Sequence, residues 1–330
     1  MASEESFSAP VVFADRFFMS EKSLAEISSL GGFAWADIKD YLELGDRLSR
    51  SRSVRILVSE YVSINAFVLE RAPGLMGVIA YGAGYDHIDV DFAAKKGVLV
   101  CNCRGENAQA VAEMTLGLLL CLLRKIHLSD RYVREDHWKG NESAALPEWL
   151  MGAELQGKRM GIIGLGQIGS RVARIAQGFN MKIIAYDPFA RPQGAIPVES
   201  MPLEDLLSQA DIVTLHVPLT PATEKMINGR TLAAMKPEVL LINTSRGKVI
   251  DESALLEALQ EKRIRGAALD VFANEPLSGD HPFAKLENVI LSPHIGAMTQ
   301  EAGERLSDAV ARQVRDILEG RKPQCLINPK

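Results

Sequence analysis

Four side chains suited to acid–base work or anion binding stand where apolar runs of the chain give out. His294 follows Pro293 beyond "ENVILS", Arg246 follows "LLINTS", Asp270 closes "GAALD", and Glu275 stands five residues further on, before Pro276. Each residue type has a use. An arginine grips a carboxylate with two parallel charge-assisted hydrogen bonds. A histidine is the usual carrier of a proton near neutral pH, and a carboxylate beside it fixes its tautomer and favours its charged form. Singly, Arg246 reads equally well as a surface ion pair and His294 as a satisfied core histidine. Ligands of open α/β sheets bind at the carboxyl ends of strands, so four such residues at strand ends are expected to converge on one cleft.

A glycine-rich turn supplies the other half of the chemistry. Gly164-Leu165-Gly166-Gln167-Ile168-Gly169 follows the strand-like "RMGII" and opens the helical "QIGSRVARIAQGFN". In that context Gly164 permits a tight turn, Gly166 lets a pyrophosphate approach the backbone, and Gly169 lets helix and strand pack closely. The helix N-terminus then offers unpaired N–H groups and positive potential to the phosphates. Asp187 ends the next strand, 18 residues past Gly169, where it can accept hydrogen bonds from a ribose diol and repel a 2′-phosphate. NAD is therefore expected over NADP, with Arg191 just beyond as a residue able to soften the preference. A ligand-free β-α turn and an adenosyl-cofactor methyltransferase turn are the alternatives. Added to a nicotinamide, the arginine, acid and histidine are the set that oxidation of a 2-hydroxy acid needs.

The elements that must position these residues are legible as alternation. "VVFAD", "RILVS", "MGVIAYG" and "GVLVCN" read as buried strands separated by helical segments, which implies a parallel sheet. A long apolar helix, "NAQAVAEMTLGLLLCLLRK", is hydrophobic on more than one face, so it either crosses a domain boundary or meets another subunit. After the polar "REDHWKGNESAALPEW" the alternation restarts from "RMGIIGLG" and runs to "NVILSPH", and an amphipathic helix follows from Gln300 to Gly320. Two β-α sets imply two doubly wound domains.

Composition sets the limits. The 330 residues are 47% hydrophobic and 24% charged with a net charge of −5, so two cores can be buried, and no basic surface invites nucleic acid or acidic lipid. No apolar run reaches membrane-spanning length, and "MASEESFSAP" lacks the character of a signal peptide. The four cysteines, Cys101, Cys103, Cys121 and Cys325, form no second cluster to complete a metal site. All except Cys325 are expected to be buried small hydrophobes. A cytoplasmic protein without metal, nucleic-acid or membrane partner is expected.

With these residues in view, the chain resembles the D-isomer-specific 2-hydroxyacid dehydrogenases from about Val11 to Asn328. The resemblance rests on "GLGQIG" with Asp187, "NTSRG", "LDVFANEP", "SPHIGA" and the earlier "YGAGYDHIDVDFAAKKGVLVCNCRGENAQAVAE". It implies a flavodoxin-like substrate-binding domain of residues 1–107 and 299–330. Into it a Rossmann NAD domain, residues 108–298, is inserted, with the active site in the cleft and a homodimer built through the NAD domains. By matching positions, His294 is implied to be the general acid/base paired with Glu275, and Arg246 to hold the substrate carboxylate and polarise the carbonyl. The backbone of Gly82-Ala83-Gly84 would cradle the carboxylate and Asn107 would face the substrate. Asp270, Thr244 and Ser245 would position the nicotinamide. Val217, Pro218 and Thr223 would line the adenosine side, with Ala83, Val111, Gln167, Ile168 and Gly296 also against the cofactor. Glu275 sets the chain apart from the formate dehydrogenase branch, which has glutamine there.

"GENAQAVAE" is most similar to the phosphoglycerate dehydrogenase branch. That branch carries arginines where this chain has Ser59 and Ala80, while Arg104 replaces the usual proline. A hydroxypyruvate or glyoxylate reductase is the alternative, and an NAD-sensing corepressor that binds partner peptides is the alternative of another class. No regulatory domain is expected after the last helix.

Overall fold

The computed structural model describes residues 6–38, 40–139, 146–189 and 197–328. The chain divides into two compact units, Met1–Asn107 with Met298–Lys330, and Ala108–Ala297.

In the first unit, short runs of apolar residues make strands β1 (Val11–Phe13), β2 (Phe33–Trp35), β3 (Ile56–Ser59), β4 (Gly77–Ala80) and β5 (Leu99–Asn102). They form one parallel sheet in the order β2-β1-β3-β4-β5, which is the flavodoxin-like order. A parallel sheet is covered on both faces, so its inner strands must be apolar at every position rather than at alternate ones. β1 shows the consequence. Val12 packs with Leu57, Val78 and Val100 on one face. Val11 and Phe13 pack with Ile56, Val58 and Ile79 on the other. The second face is closed by Val310, Val314 and Ile317 of the helix Gln300–Leu318, which is why the C-terminal segment belongs to this unit.

The second unit holds β6 (Arg159–Ile163), β7 (Lys182–Tyr186), β8 (Val198–Ser200), β9 (Ile212–Leu215), β10 (Leu240–Asn243), β11 (Gly266–Leu269) and β12 (Val289–Leu291). All pairs are parallel, in the order β12-β11-β10-β9-β6-β7-β8. The chain winds one way from β6 to β8 and the other way from β9 to β12. The switch point lies between β6 and β9, where a doubly wound sheet opens a crevice at its carboxyl edge. The apolar helix spans Ala108–Leu123 and is the first element of this unit. It buries Leu116, Leu119 and Leu122 with Met160, Ile162 and Ile242, leaving Glu113 and Gly117 exposed.

Several elements of the described residues have no counterpart in the sequence pattern. β2 and β8 are three-residue edge strands without a fully buried position. The helix Ile126–Arg134 buries none of its residues, so it carries no core-facing stripe to read. The helix Tyr41–Ser49 is capped by Asp40, which accepts from Leu42 and Glu43 N–H. One expectation is corrected: Cys121 is half-buried, with Sγ 3.8 Å from Nδ1 of His127, because the helix turns that position towards the flanking segment. Cys101 and Cys103 are buried, and burial pushes both thiols up to about 12. Among the described residues no helix is long and apolar enough to cross a membrane.

Candidate active site

The glycine-rich turn sits at the end of β6, beside the switch point. Gly164 has φ +97°, and a Cβ on it would collide with the carbonyl of His216 at the end of β9. A Cβ on Gly169 would collide with the carbonyl of Gly164, so helix and turn close on each other only with glycine at both places. Gly166 is different. It is exposed, a Cβ on it would meet nothing within 4 Å, and it caps the helix Gln167–Gly178 without any side-chain hydrogen bond. The first N–H groups of this helix therefore begin beside open space, which fits a pyrophosphate. Gln167 is exposed and Ile168 half-buried at the same edge.

Asp187 ends β7 and braces this turn. Its Oδ2 accepts the N–H of Leu165 at 2.8 Å and its Oδ1 that of Phe189 at 2.8 Å. Arg191 lies outside the described residues. Beyond β9, Thr223 Oγ1 donates to the Pro218 carbonyl at 2.6 Å and accepts from Thr220 N–H at 2.8 Å, tying the loop that contains Val217 and Pro218. His216 precedes that loop. Its Nε2 lies 3.0 Å from Thr214 Oγ1, and burial pushes it down to about 3, so it stays neutral and is no proton carrier.

The turn after β10 carries Arg246. Asn243, which the sequence reading passed over, organises it. Asn243 Oδ1 accepts from Ser245 N–H at 3.0 Å and Ser245 Oγ at 2.8 Å, and Nδ2 donates to the Arg246 carbonyl at 2.9 Å. Thr244 and Ser245 are buried, and Thr244 Oγ1 lies 3.0 Å from Thr115 Oγ1. Gly247 allows the next step: a Cβ there would collide with the backbone of Phe272 and Ala273, so only glycine lets the arginine turn press against the loop after β11.

That loop carries Glu275, whose Oε1 accepts the N–H of Phe272 at 2.8 Å and whose Oε2 lies 2.7 Å from Nδ1 of His294. Burial alone would raise the Glu275 carboxyl. The hydrogen bonds from His294 and Phe272 and the charges of His294 and Arg246 outweigh it, and the group titrates below its ordinary value. Three residues singled out in the sequence are thus brought into one electrostatic cluster.

His294 itself has φ +55°, a left-handed conformation that costs a non-glycine residue roughly 1–2 kcal/mol. Asp270 holds it there. Asp270 is 1% exposed; its Oδ1 accepts from Ser292 Oγ at 2.5 Å and Ile295 N–H at 3.0 Å, and its Oδ2 from Gly296 N–H at 2.8 Å. The carboxylate therefore clamps the chain on both sides of the histidine. Nothing in the sequence marks the part played by Ser292.

In the first unit, Gly82 has φ +129° at the end of β4, with its carbonyl accepting Cys103 N–H at 2.7 Å. Asn102 Nδ2 donates to the Ala83 carbonyl at 2.7 Å. Asn107 is 9% exposed and its Oδ1 is buried without a hydrogen-bond partner. Val111 is buried near the start of the long helix.

A seven-stranded doubly wound sheet with an open glycine turn, and an arginine beside a carboxylate–histidine pair, suit dinucleotide binding and the movement of a proton. Residues 116–296 match the family described as D-isomer specific 2-hydroxyacid dehydrogenase, NAD binding domain. The chain is 43% identical over 267 residues to a glyoxylate reductase of Korarchaeum cryptofilum, covering 80% of both proteins. It is 37% identical over 309 residues to a D-3-phosphoglycerate dehydrogenase of Synechocystis, covering 93% of this chain and 53% of that protein. The TT0316 protein of Thermus thermophilus superposes with a TM-score of 0.87 at 34% identity, over 96% of this chain and all of that one. The chain belongs to the D-isomer specific 2-hydroxyacid dehydrogenases, and its second unit contains the family's NAD binding domain.

Proposed function

We propose that the chain reduces a small unphosphorylated 2-oxo acid of the glyoxylate or hydroxypyruvate type with NADH, reversibly. The observation that carries the substrate choice is the fate of Ser59 and Ala80. Both end strands and are fully buried, and Ser59 Oγ lies 2.9 Å from Asp15, so neither position offers a cation to a phosphate. The names of the curated relatives, mostly glyoxylate reductases, support the same reading, and they favour turnover over the peptide binding of a corepressor.

The roles are as follows. Bound over the Gly164–Gly169 turn, the cofactor supplies the hydride. Asp187 takes the ribose hydroxyls; a carboxylate offers about four acceptor positions, so its bonds to Leu165 and Phe189 are compatible with that role. Arg246 grips the substrate carboxylate and draws electron density from the carbonyl oxygen. His294 has Nδ1 committed to Glu275, so Nε2 is the atom that gives the proton to the substrate oxygen. Glu275 holds the ring in that tautomer.

A homodimer through the second unit completes the proposal. Ile126, Val133, Trp138, Trp149 and Met151 each expose between 45% and 73% of their surface, and large apolar side chains left in solvent support association. The test of the activity is a panel of glyoxylate, hydroxypyruvate and 3-phosphohydroxypyruvate at fixed NADH, ranked by kcat/KM. The first two are expected to lead. Turnover of none of them would remove the reading.

A further inference from the structure

We infer that Asp15 is a positioning residue for substrate binding, acting through the loop that follows β3. This rests on the reading of the chain as a 2-oxo acid reductase and adds to it a residue that neither motif nor composition marks.

The register explains how it reaches the loop. Phe13 of β1 pairs with Val58 of β3, and Ala14 N–H continues the ladder to the Val58 carbonyl at 2.8 Å, so Asp15 comes level with Glu60 just past both strands. There its carboxylate meets four donors. Oδ2 accepts from Glu60 N–H at 2.7 Å, Tyr61 N–H at 3.3 Å and Ser59 Oγ at 2.9 Å, and Oδ1 accepts from Val62 N–H at 2.8 Å. The Ser59 proton is shared with the Val62 carbonyl, 2.8 Å away.

Three successive backbone N–H groups converging on one anion make a nest, and here the anion is the protein's own. A carboxylate has about four acceptor positions, so this one is filled by a single loop. The loop's far side is bonded to the segment after β4. Ser59 carbonyl accepts Tyr81 N–H at 2.8 Å, His87 Nε2 lies 3.3 Å from the same oxygen, and Ile64 N–H donates to the His87 carbonyl at 2.9 Å. Residues 59–64 are thus held between Asp15 and residues 81–87, which include the glycines assigned to the substrate carboxylate. Without Asp15, three loop N–H groups lose their acceptor at the ligand edge of the sheet, and the wall next to those glycines is no longer fixed.

The test is Asp15→Ala, with Asp15→Asn, which keeps one acceptor oxygen, as the conservative partner. Hydrogen bonds to charged groups are worth enough that KM for the best 2-oxo acid is expected to rise about tenfold in the alanine variant. The kcat should stay within about threefold and NADH affinity within about twofold, because the loop acts on binding rather than on proton transfer. Asp15→Asn should fall between the variant and the wild type, and it carries the same test if the alanine variant does not fold. Amide exchange at Glu60, Tyr61 and Val62 should quicken in both. An unchanged KM in Asp15→Ala, or losses of kcat and Tm without a selective rise in KM, overturns the inference. A wild type that reduces no 2-oxo acid overturns the parent reading, and this inference with it.

Discussion

Glu275 and His294 meet at 2.7 Å, and the carboxylate is the fixed partner: its second oxygen is bonded to the backbone N–H of Phe272. Across from it, Asp270 clamps residues 292, 295 and 296, so the histidine ring is oriented from both ends of its loop. Expectations for activity follow from that division of work.

His294→Ala removes the proton donor, and kcat should fall by about two to four orders of magnitude. NADH affinity, read by fluorescence titration, should hardly change, since the glycine turn and Asp187 lie on other strands. A variant with near wild-type kcat would make His294 structural.

Glu275→Gln keeps a hydrogen-bond partner and removes the negative charge beside His294. The kcat for reduction should then fall, because the ring proposed to give the proton loses the carboxylate that orients it. Stability carries its own sign. The Glu275 carboxyl is depressed in the folded protein, so its contribution is present above the unfolded carboxylate pKa and is lost as pH falls through the lower folded one. The Tm difference between wild type and Glu275→Gln should therefore shrink on acidification through that window. A pH-independent difference, with kcat unchanged, would detach Glu275 from His294.

Arg246→Lys keeps the charge and loses the planar fork that two parallel hydrogen bonds to a carboxylate require. Both KM and kcat should worsen, with kcat/KM down about a hundredfold or more, on the scale of lost charge-assisted bonds in a desolvated site. A lysine variant close to the wild type in both constants would place Arg246 outside the substrate.

NADH should be preferred to NADPH in kcat/KM, because a carboxylate at Asp187, proposed to take the ribose hydroxyls, would repel a 2′-phosphate. Asp187→Ser should not simply invert the preference. It also removes the acceptor of Leu165 N–H inside the phosphate turn, so KM for both cofactors should rise. A wild-type preference for NADPH would contradict the assignment.

Hydroxypyruvate and 3-phosphohydroxypyruvate should differ by no more than about tenfold in kcat/KM, roughly 1.4 kcal/mol, if no cation waits for the phosphate. A preference of several hundredfold for the phosphorylated acid would point to Arg104, the exposed arginine after β5, as the missing charge.

The two parallel α/β sheets and the glycine turn with its acid were legible along the chain, and so were Arg246, Glu275 and His294 as polar residues just past buried strands. All of these rest on local rules. Buried parallel strands must be apolar throughout, a phosphate turn needs glycines at fixed offsets, and polar residues just past such strands stand out. Edge strands β2 and β8 were not legible, since three half-exposed or exposed residues make no pattern. Which donors each carboxylate serves, by contrast, depends on how the strands pack together. Asp15 is 44 residues from Ser59, and Asp270 is 25 from Ile295, so no spacing reveals either clamp. Sheet register brings the first pair together, and the parallel neighbours β11 and β12 bring the second. A hydrogen bond between strand ends depends on which strands are neighbours, and that is settled by packing both faces of the sheet at once.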